Sequence, residues 1–185
     1  MGPSHSRVSP RRSRMGWRNR LRWKRVPRLN RRFRRLSSSA VSDQCVFCDI
    51  VHGTSPASWV YQDDTVVAFM DIQPITQGHM LVVPREHAVL MTDINETSAM
   101  RTFRVARKLA AIARHTLGAS GINILVMDGE AAYQDVPHFH VHVIPRYPKD
   151  GFGLTFPHTY EHPPARAQLD AIAAALKNAA TPATA

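Results

Sequence analysis

The run His138-Phe139-His140-Val141-His142-Val143-Ile144-Pro145-Arg146 decides the fold predicted for this chain. Its histidines alternate with apolar residues, and successive side chains of a β-strand point to opposite faces. The run therefore predicts a strand with three imidazoles on one face and an apolar face packed on a core. Imidazole titrates near neutral pH, so such a row can attack an electrophile, transfer protons or bind a metal. A histidine-rich strand without chemistry is the alternative.

Apolar segments outside this run predict an α+β domain with a mostly antiparallel sheet. A long helix is expected from an Asn95 cap to Gly118, because apolar side chains recur there at helical spacing. Those positions are Phe103, Ala106, Ala110, Ala113 and Leu117. A short helix is expected at 165–179. Further strands are expected at 59–61, 65–70, 79–83 and 122–127.

Charge divides the chain into a basic tail and an acidic body. Residues 1–42 hold 14 of the 24 Lys and Arg and no Asp or Glu, whereas the remainder holds 10 basic and 14 acidic residues. A disordered tail over 1–42, a folded domain over 43–160, and a helix and tail over 161–185 are therefore predicted. The tail fits a nucleic-acid or anionic-surface contact, an organellar transit peptide, or an over-extended reading frame.

The sequence also bears on where the protein is located in the cell. The sequence has no secretory signal and no apolar run long enough to span a bilayer. A soluble cytoplasmic protein is expected.

Nucleophilic attack on phosphorus is the chemistry that suits histidine best here. A neutral imidazole nitrogen attacks, a covalent intermediate forms, and an acceptor displaces it. The middle residue of the trio, His140, has an imidazole on each side to place donors around the phosphate oxygens, so it is the candidate nucleophile. His142 is the candidate phosphate or leaving-group contact. A His-x-His pair is also an efficient metal clamp.

Four segments, taken in order, make the chain similar to the histidine triad (HIT) family over roughly residues 45–157. The triad run resembles the family signature. The other three segments are Cys45-Val-Phe-Cys48-Asp-Ile, Ala68-Phe-Met-Asp-Ile72 through Gly78-His79, and Gln134 before the triad. The resemblance implies a HIT-like fold and a homodimer. It also implies a hydrolase or nucleotidyl transferase that acts on the α-phosphate of purine nucleotide conjugates.

Individual roles follow from the same resemblance. It implies that His140 becomes nucleotidylated, that the carbonyl of His138 sets its tautomer, and that His142 contacts the phosphate. It further implies that His79 orients the triad and that Asp71 holds the ribose hydroxyls. The remaining substrate-binding residues implied are Val46, Phe47, Phe69 and Ile72 around the base, with Gln134; ordinary core packing is the alternative for the apolar ones.

The two cysteines form a separate motif, Cys45-x-x-Cys48. In an intracellular protein this spacing indicates a metal or redox site rather than a structural disulfide, with two buried thiols as the alternative. The chain resembles a bacterial subset of HIT proteins, which implies structural zinc on Cys45, Cys48, His87 and His138. No organic cofactor is expected.

Two positions depart from the family pattern. Met127 stands where the family usually has Asn, and Asp135 stands where it usually has Ser or Thr. A carboxylate at that position repels an α-phosphate. A non-catalytic nucleotide-binding or interaction protein is therefore the alternative function.

Overall fold

The computed structural model describes residues 45–180. The basic tail and the three interpretations of it lie outside the described residues, and the predicted domain boundaries stay predictions. No helix in the described range is long and apolar enough to cross a membrane.

A five-stranded antiparallel sheet forms the centre of the described domain. Its spatial order is β1-β2-β3-β5-β4, and every neighbouring pair is antiparallel. The predicted α+β class and antiparallel sheet are confirmed. The strands are β1 Trp59–Gln62, β2 Val66–Met70, β3 Met80–Pro84, β4 Gly121–Leu125 and β5 Val141–Arg146.

The central strands are covered on both faces, which explains their nearly continuous apolar sequences. On β2, Val66 and Ala68 pack in the core on the side of the long helix α2 (Glu96–Thr116), while Val67 and Phe69 pack with Phe47 on the other side. Strand β3 divides its side chains between the same two cores. The alternation of side chains along each strand therefore divides the buried residues between a core that faces the long helix and a second core that contains Phe47.

Helix α2 spans Glu96–Thr116 and confirms the predicted long helix. The Asn95 side chain accepts hydrogen bonds from the backbone N–H groups of Thr97 and Ser98 and caps the first turn. The predicted stripe is confirmed at Ala106 and Ala113, which are buried. It is wrong at Phe103 and Leu117, which are 40% and 37% exposed. Val105 and Leu109 complete the face that the helix buries against the sheet.

Two short helices lie at the ends of the described range. Helix α1, Val46–Val51, was not predicted, and it brings both cysteines and Phe47 under the sheet. Helix α3, Arg166–Ala180, confirms the short C-terminal helix, and its residues are exposed throughout.

The predicted histidine strand needs a correction. Strand β5 begins at Val141, so His138 and His140 lie just before it and only His142 is within it. The chain there bonds to a loop instead of a sheet ladder, because the Phe139 N–H donates to the carbonyl of Ala88 (2.6 Å). The apolar alternation nevertheless holds, and Phe139, Val141 and Val143 share the α2-side core.

Candidate active site and metal site

His140 is held by the backbone of its own chain. Its Nδ1 lies 2.7 Å from the carbonyl oxygen of His138, so Nδ1–H donates and the lone pair is on Nε2. The edge of the ring meets Phe47 at a centroid distance of 5.1 Å. With ring position and tautomer both set, Nε2 is the nitrogen available for attack on a ligand.

His142 lies next to His140, with ring centroids 4.7 Å apart. Its Nδ1 is 3.0 Å from Nε2 of His79, and the backbone N–H of Ile75 donates to Nδ1 of His79 (3.2 Å). We assign Nδ1 of His79 as an acceptor, so its Nε2–H donates to His142. This leaves Nε2–H of His142 as a buried donor with no partner among the described residues.

Burial keeps this group of imidazoles neutral. It lowers the pKa of His142 to about 4, with help from His140 and His79 beside it. Burial also lowers the pKa of His140 and of His79, although Asp71 partly opposes the effect on each of them. Neutral imidazole is the nucleophilic form, so the site is ready for attack at physiological pH.

A cleft of about 720 Å³ opens over the two histidines. Its walls are mostly apolar and include Phe47, Phe69 and Val46, and Ile72 stands at the rim with 95% of its surface exposed. Asp71 and Asp135 are its charged residues. A cleft of this size and lining suits a ligand with a flat apolar part and a few polar groups.

A second group of side chains surrounds His138 and includes Cys45 and Cys48, which belong to the core around Phe47. Nε2 of His138 is 2.9 Å from the carbonyl oxygen of Pro84 and donates to it, so Nδ1 carries the lone pair. That atom lies 3.5 Å from Sγ of Cys45, 3.6 Å from Sγ of Cys48 and 3.3 Å from Nδ1 of His87. The four ligand atoms form one compact cluster.

The chemistry of this cluster fits zinc. Thiolate and imidazole ligands at ordinary zinc distances in a tetrahedron lie roughly 3.3–3.8 Å apart, close to the separations found here. Burial and the neighbouring Cys45 raise the pKa of Cys48 to about 12. A cation would offset that cost and hold both sulfurs as thiolates.

The sequence of this chain has known relatives. A sequence profile of the HIT domain matches residues 52–149, more than half of the chain. The chain belongs to the HIT family. The Bacillus subtilis protein named Protein hit is 40% identical over 116 residues, which cover 62% of this chain and 80% of that protein.

Solved HIT structures superpose on this one over most of its length. A zinc-bound histidine triad family protein from Mycobacterium smegmatis gives a TM-score of 0.58 at 39% identity and covers 75% of this chain and 99% of its own. A histidine triad nucleotide-binding protein from Candida albicans gives a TM-score of 0.65 at 27% identity, with coverages of 73% and 96%. The fold of this HIT domain is therefore that of its relatives.

The HIT domain brings the predicted residues together in two places. One is the cleft, which contains His79, His140 and His142 with the predicted substrate-binding residues except Gln134. The other is the cysteine cluster, to which His138 contributes its side chain. The backbone carbonyl of His138 accepts the hydrogen bond from His140.

Gln134 occupies a different position from the rest. Its side chain accepts from the N–H of Gly129 (2.7 Å) and donates to the carbonyls of Val89 and Val136. It therefore braces the loop before the triad and does not line the cleft.

The sequence analysis included the carbonyl of His138 but missed the backbone groups that set the tautomers of His79 and His138. The N–H of Ile75 and the carbonyl of Pro84 act through atoms that every such residue carries, so residue type gives no signal for them. It also missed the shape of the loop, where Tyr133 has a φ of 65° and is 81% exposed at the cleft. A bulky residue in this conformation is uncommon and is typical of functional loops.

Proposed function

We propose that this HIT protein is an enzyme that cleaves purine nucleotide conjugates at the α-phosphate through a nucleotidyl-His140 intermediate. One observation carries the proposal. The His140 ring donates from Nδ1 to the His138 carbonyl, which leaves Nε2 as a nucleophile in the cleft beside a buried, unpartnered N–H of His142.

With a nucleoside phosphoramidate as substrate, the proposed reaction has two steps. Nε2 of His140 forms a bond to the α-phosphorus as the phosphorus–nitrogen bond to the leaving amine breaks. The leaving amine takes its proton from solvent, while Nε2–H of His142 donates a hydrogen bond to an oxygen of the α-phosphate. Water then attacks the nucleotidyl-His140, the bond between phosphorus and Nε2 breaks, and the nucleoside monophosphate leaves as the water returns a proton to solvent, which restores His140.

The carbonyl of His138 contributes electrostatically. His140 gains positive charge when its Nε2 bonds to phosphorus, and the carbonyl that accepts from Nδ1–H stabilises this charge without moving. Asp71 is proposed to accept hydrogen bonds from the ribose hydroxyls, because its carboxylate lines the cleft and is held by the N–H of Gln73 (2.8 Å).

The test is AMP release from adenosine 5′-phosphoramidate. Native protein and the control His115→Ala, which removes an exposed histidine of α2, are expected to release AMP; His140→Ala is expected to lose at least about 10³-fold of the rate. Denaturing native protein with substrate at alkaline pH, where the phosphorus–nitrogen bond survives, is expected to trap an adduct on His140 that is detected by mass. Equal rates in native protein and His140→Ala would refute the proposal.

We propose a structural zinc ion on the cysteine cluster, supported by the fit of the donor set and by the zinc-bound relative. Cys45, Cys48, His87 and His138 would hold it. When bound, it supplies a cross-link between α1, the loop after β3 and the segment before β5, and takes no part in the phosphoryl chemistry. His138 is thereby fixed in the position from which its carbonyl holds His140.

We also propose a homodimer. Strand β4 is at the edge of the sheet, and its Ile124 is 41% exposed, so this edge offers unpaired backbone groups to a second copy. Light scattering on a size-exclusion column is expected to give twice the chain mass. A monomeric mass at micromolar concentration would contradict it.

A non-catalytic nucleotide-binding role is the second candidate, favoured by the carboxylate of Asp135 in the cleft. The enzymatic and the non-catalytic candidates predict different outcomes in the same assay. Calorimetry would then show nucleotide binding while neither AMP release nor an adduct on His140 is found.

A further inference from the structure

Asp135 is an acidic residue of the cleft whose side chain has no bonding partner among the described residues. It lines the same cleft as His140 and is exposed to solvent. Among residues 45–180, no hydrogen bond or ion pair engages its carboxylate. Asp71, the other acid of the cleft, accepts from the N–H of Gln73 and lies 3.4 Å from Nδ1 of His79.

The charge of the cleft is the second observation. Its described lining contains the carboxylates of Asp71 and Asp135 and no Lys or Arg. An α-phosphate is anionic, so it enters a cleft whose fixed charges repel it. A nucleotide conjugate that also carries a positive charge close to the phosphate meets an attractive partner instead.

The third observation indicates that a ligand belongs at this position. His142 lines the cleft and is 92% buried, and its Nε2 has no hydrogen-bond partner in the described part of the chain. Buried polar atoms are almost always paired, so this atom is expected to bond a ligand that the cleft receives. The ligand therefore sits within the cleft that Asp135 lines.

We propose that Asp135 makes the enzyme select nucleotide conjugates whose leaving group carries a positive charge. The carboxylate pairs with that charge while His140 attacks the adjacent phosphorus. Tyr133, exposed on the same loop, offers its aromatic face to the same cation. This inference rests on the proposed nucleotidyl transfer and names the substrate class of that site.

Two matched pairs of ligands test the selection. The substrates are the adenosine 5′-phosphoramidates of 1,4-diaminobutane, with a terminal ammonium, and of butylamine, which is neutral. The second pair replaces the bridging nitrogen by a methylene group, so that binding is measured without turnover. The proteins are native, Asp135→Asn, and Glu130→Gln as the control for an exposed acid on the same loop.

Native protein and Glu130→Gln are expected to favour the cationic ligand by about threefold to fivefold in kcat/KM and in Kd at low salt, the size typical of an exposed charge pair. Asp135→Asn is expected to lose this preference, and added salt is expected to weaken it. The same preference in Asp135→Asn would overturn the proposal. So would a preference that appears only after magnesium is added, because the metal would then supply the charge.

Measuring both binding and turnover distinguishes a failure of the charge selection from a failure of the proposed reaction. A charge preference in Kd that depends on Asp135, without AMP release from either substrate, would support the selection and refute the proposed reaction. Equal kcat/KM and equal Kd for both members of each pair would overturn the selection and leave the reaction standing.

Discussion

Nε2 of His79 lies 3.0 Å from Nδ1 of His142, and the N–H of Ile75 lies behind His79 at 3.2 Å from Nδ1. The chain of donors ends in the N–H of His142 at the cleft. Its direction is set by a backbone group that cannot change its protonation state, so His79 acts as a positioning residue.

Replacing His79 is expected to impair the hydrogen bond that His142 donates in the transition state more than it impairs binding. His79→Phe keeps a ring but removes the donor to His142, and kcat is expected to fall about 10- to 100-fold with little change in KM. His79→Gln, whose amide can donate, is expected to recover part of the loss. Steady-state kinetics on the phosphoramidate measures both, and a change confined to KM would contradict the positioning role.

Removal of one ligand is expected to empty the metal site. His87→Ala is expected to lose zinc by elemental analysis and to lower the melting temperature, whereas His52→Ala, which removes an exposed histidine nearby, is expected to change neither. The chain has only two cysteines, so thiol titration reports on this site alone. Zinc content that is equal in both variants would rule out the ligand set.

Acid is expected to destabilise the fold through His142. Its pKa is about 4 in the folded protein against an ordinary 6.5, so the unfolded chain binds a proton that the folded one excludes. Stability from this group is complete above pH 6.5 and falls by about 3 kcal/mol as the pH approaches 4. Urea unfolding at pH 7 and 4.5 should show a smaller loss for His142→Gln than for native protein or His115→Gln; identical losses would contradict the prediction.

Asp63 is expected to stabilise the junction between the first hairpin and α2. Its carboxylate accepts from Tyr61, from the N–H groups of Thr65 and Val66, and from Arg101 (2.8 Å). Burial alone would raise the pKa of Asp63, but these donors lower it below the ordinary range.

Asp63→Asn is expected to lower the free energy of unfolding by about 1–3 kcal/mol, because it weakens charge-assisted bonds. Asp64→Asn, at the exposed neighbouring acid, should stay within about 0.5 kcal/mol of native protein. The Asp63 contribution is present above its unfolded pKa and is lost as the pH falls below it. Urea unfolding that ranks the two variants equally would refute the role.

Gly78 is expected to resist substitution for two reasons that a control separates. It has a φ of +87°, and a Cβ there would overlap Leu117 and lie 3.2 Å from Cγ of Pro145. Gly53 has a φ of +78° but open space around it. Thermal unfolding is expected to show a loss of about 1 kcal/mol for Gly53→Ala and about 2–3 kcal/mol for Gly78→Ala; equal losses would mean that packing contributes nothing at Gly78.

Local pattern was sufficient for most of the architecture. The period-two alternation around Val141 and the capped, apolar-striped helix after Asn95 each predict an element that the structure contains. Helix α1 was missed because six residues cannot establish a helical period, and this helix depends on burying Phe47, Cys48 and Ile50 under the sheet. The start of β5 was misplaced because Phe139 bonds to Ala88, fifty-one residues earlier in the chain.

The sequence by itself determined which side chains carry the chemistry: the alternating histidines, the Cys-x-x-Cys pair and the acids near them. The family resemblance implied how they divide, and only the tertiary structure supplied the distances and contacts that support this division. His138 turns to the cysteines because Pro84 accepts from its Nε2, while His140 and His142 remain at the cleft with tautomers set by the His138 carbonyl and the Ile75 N–H. These partners are backbone atoms brought close by strand pairing and loop packing, and residue identity does not encode where such atoms will lie.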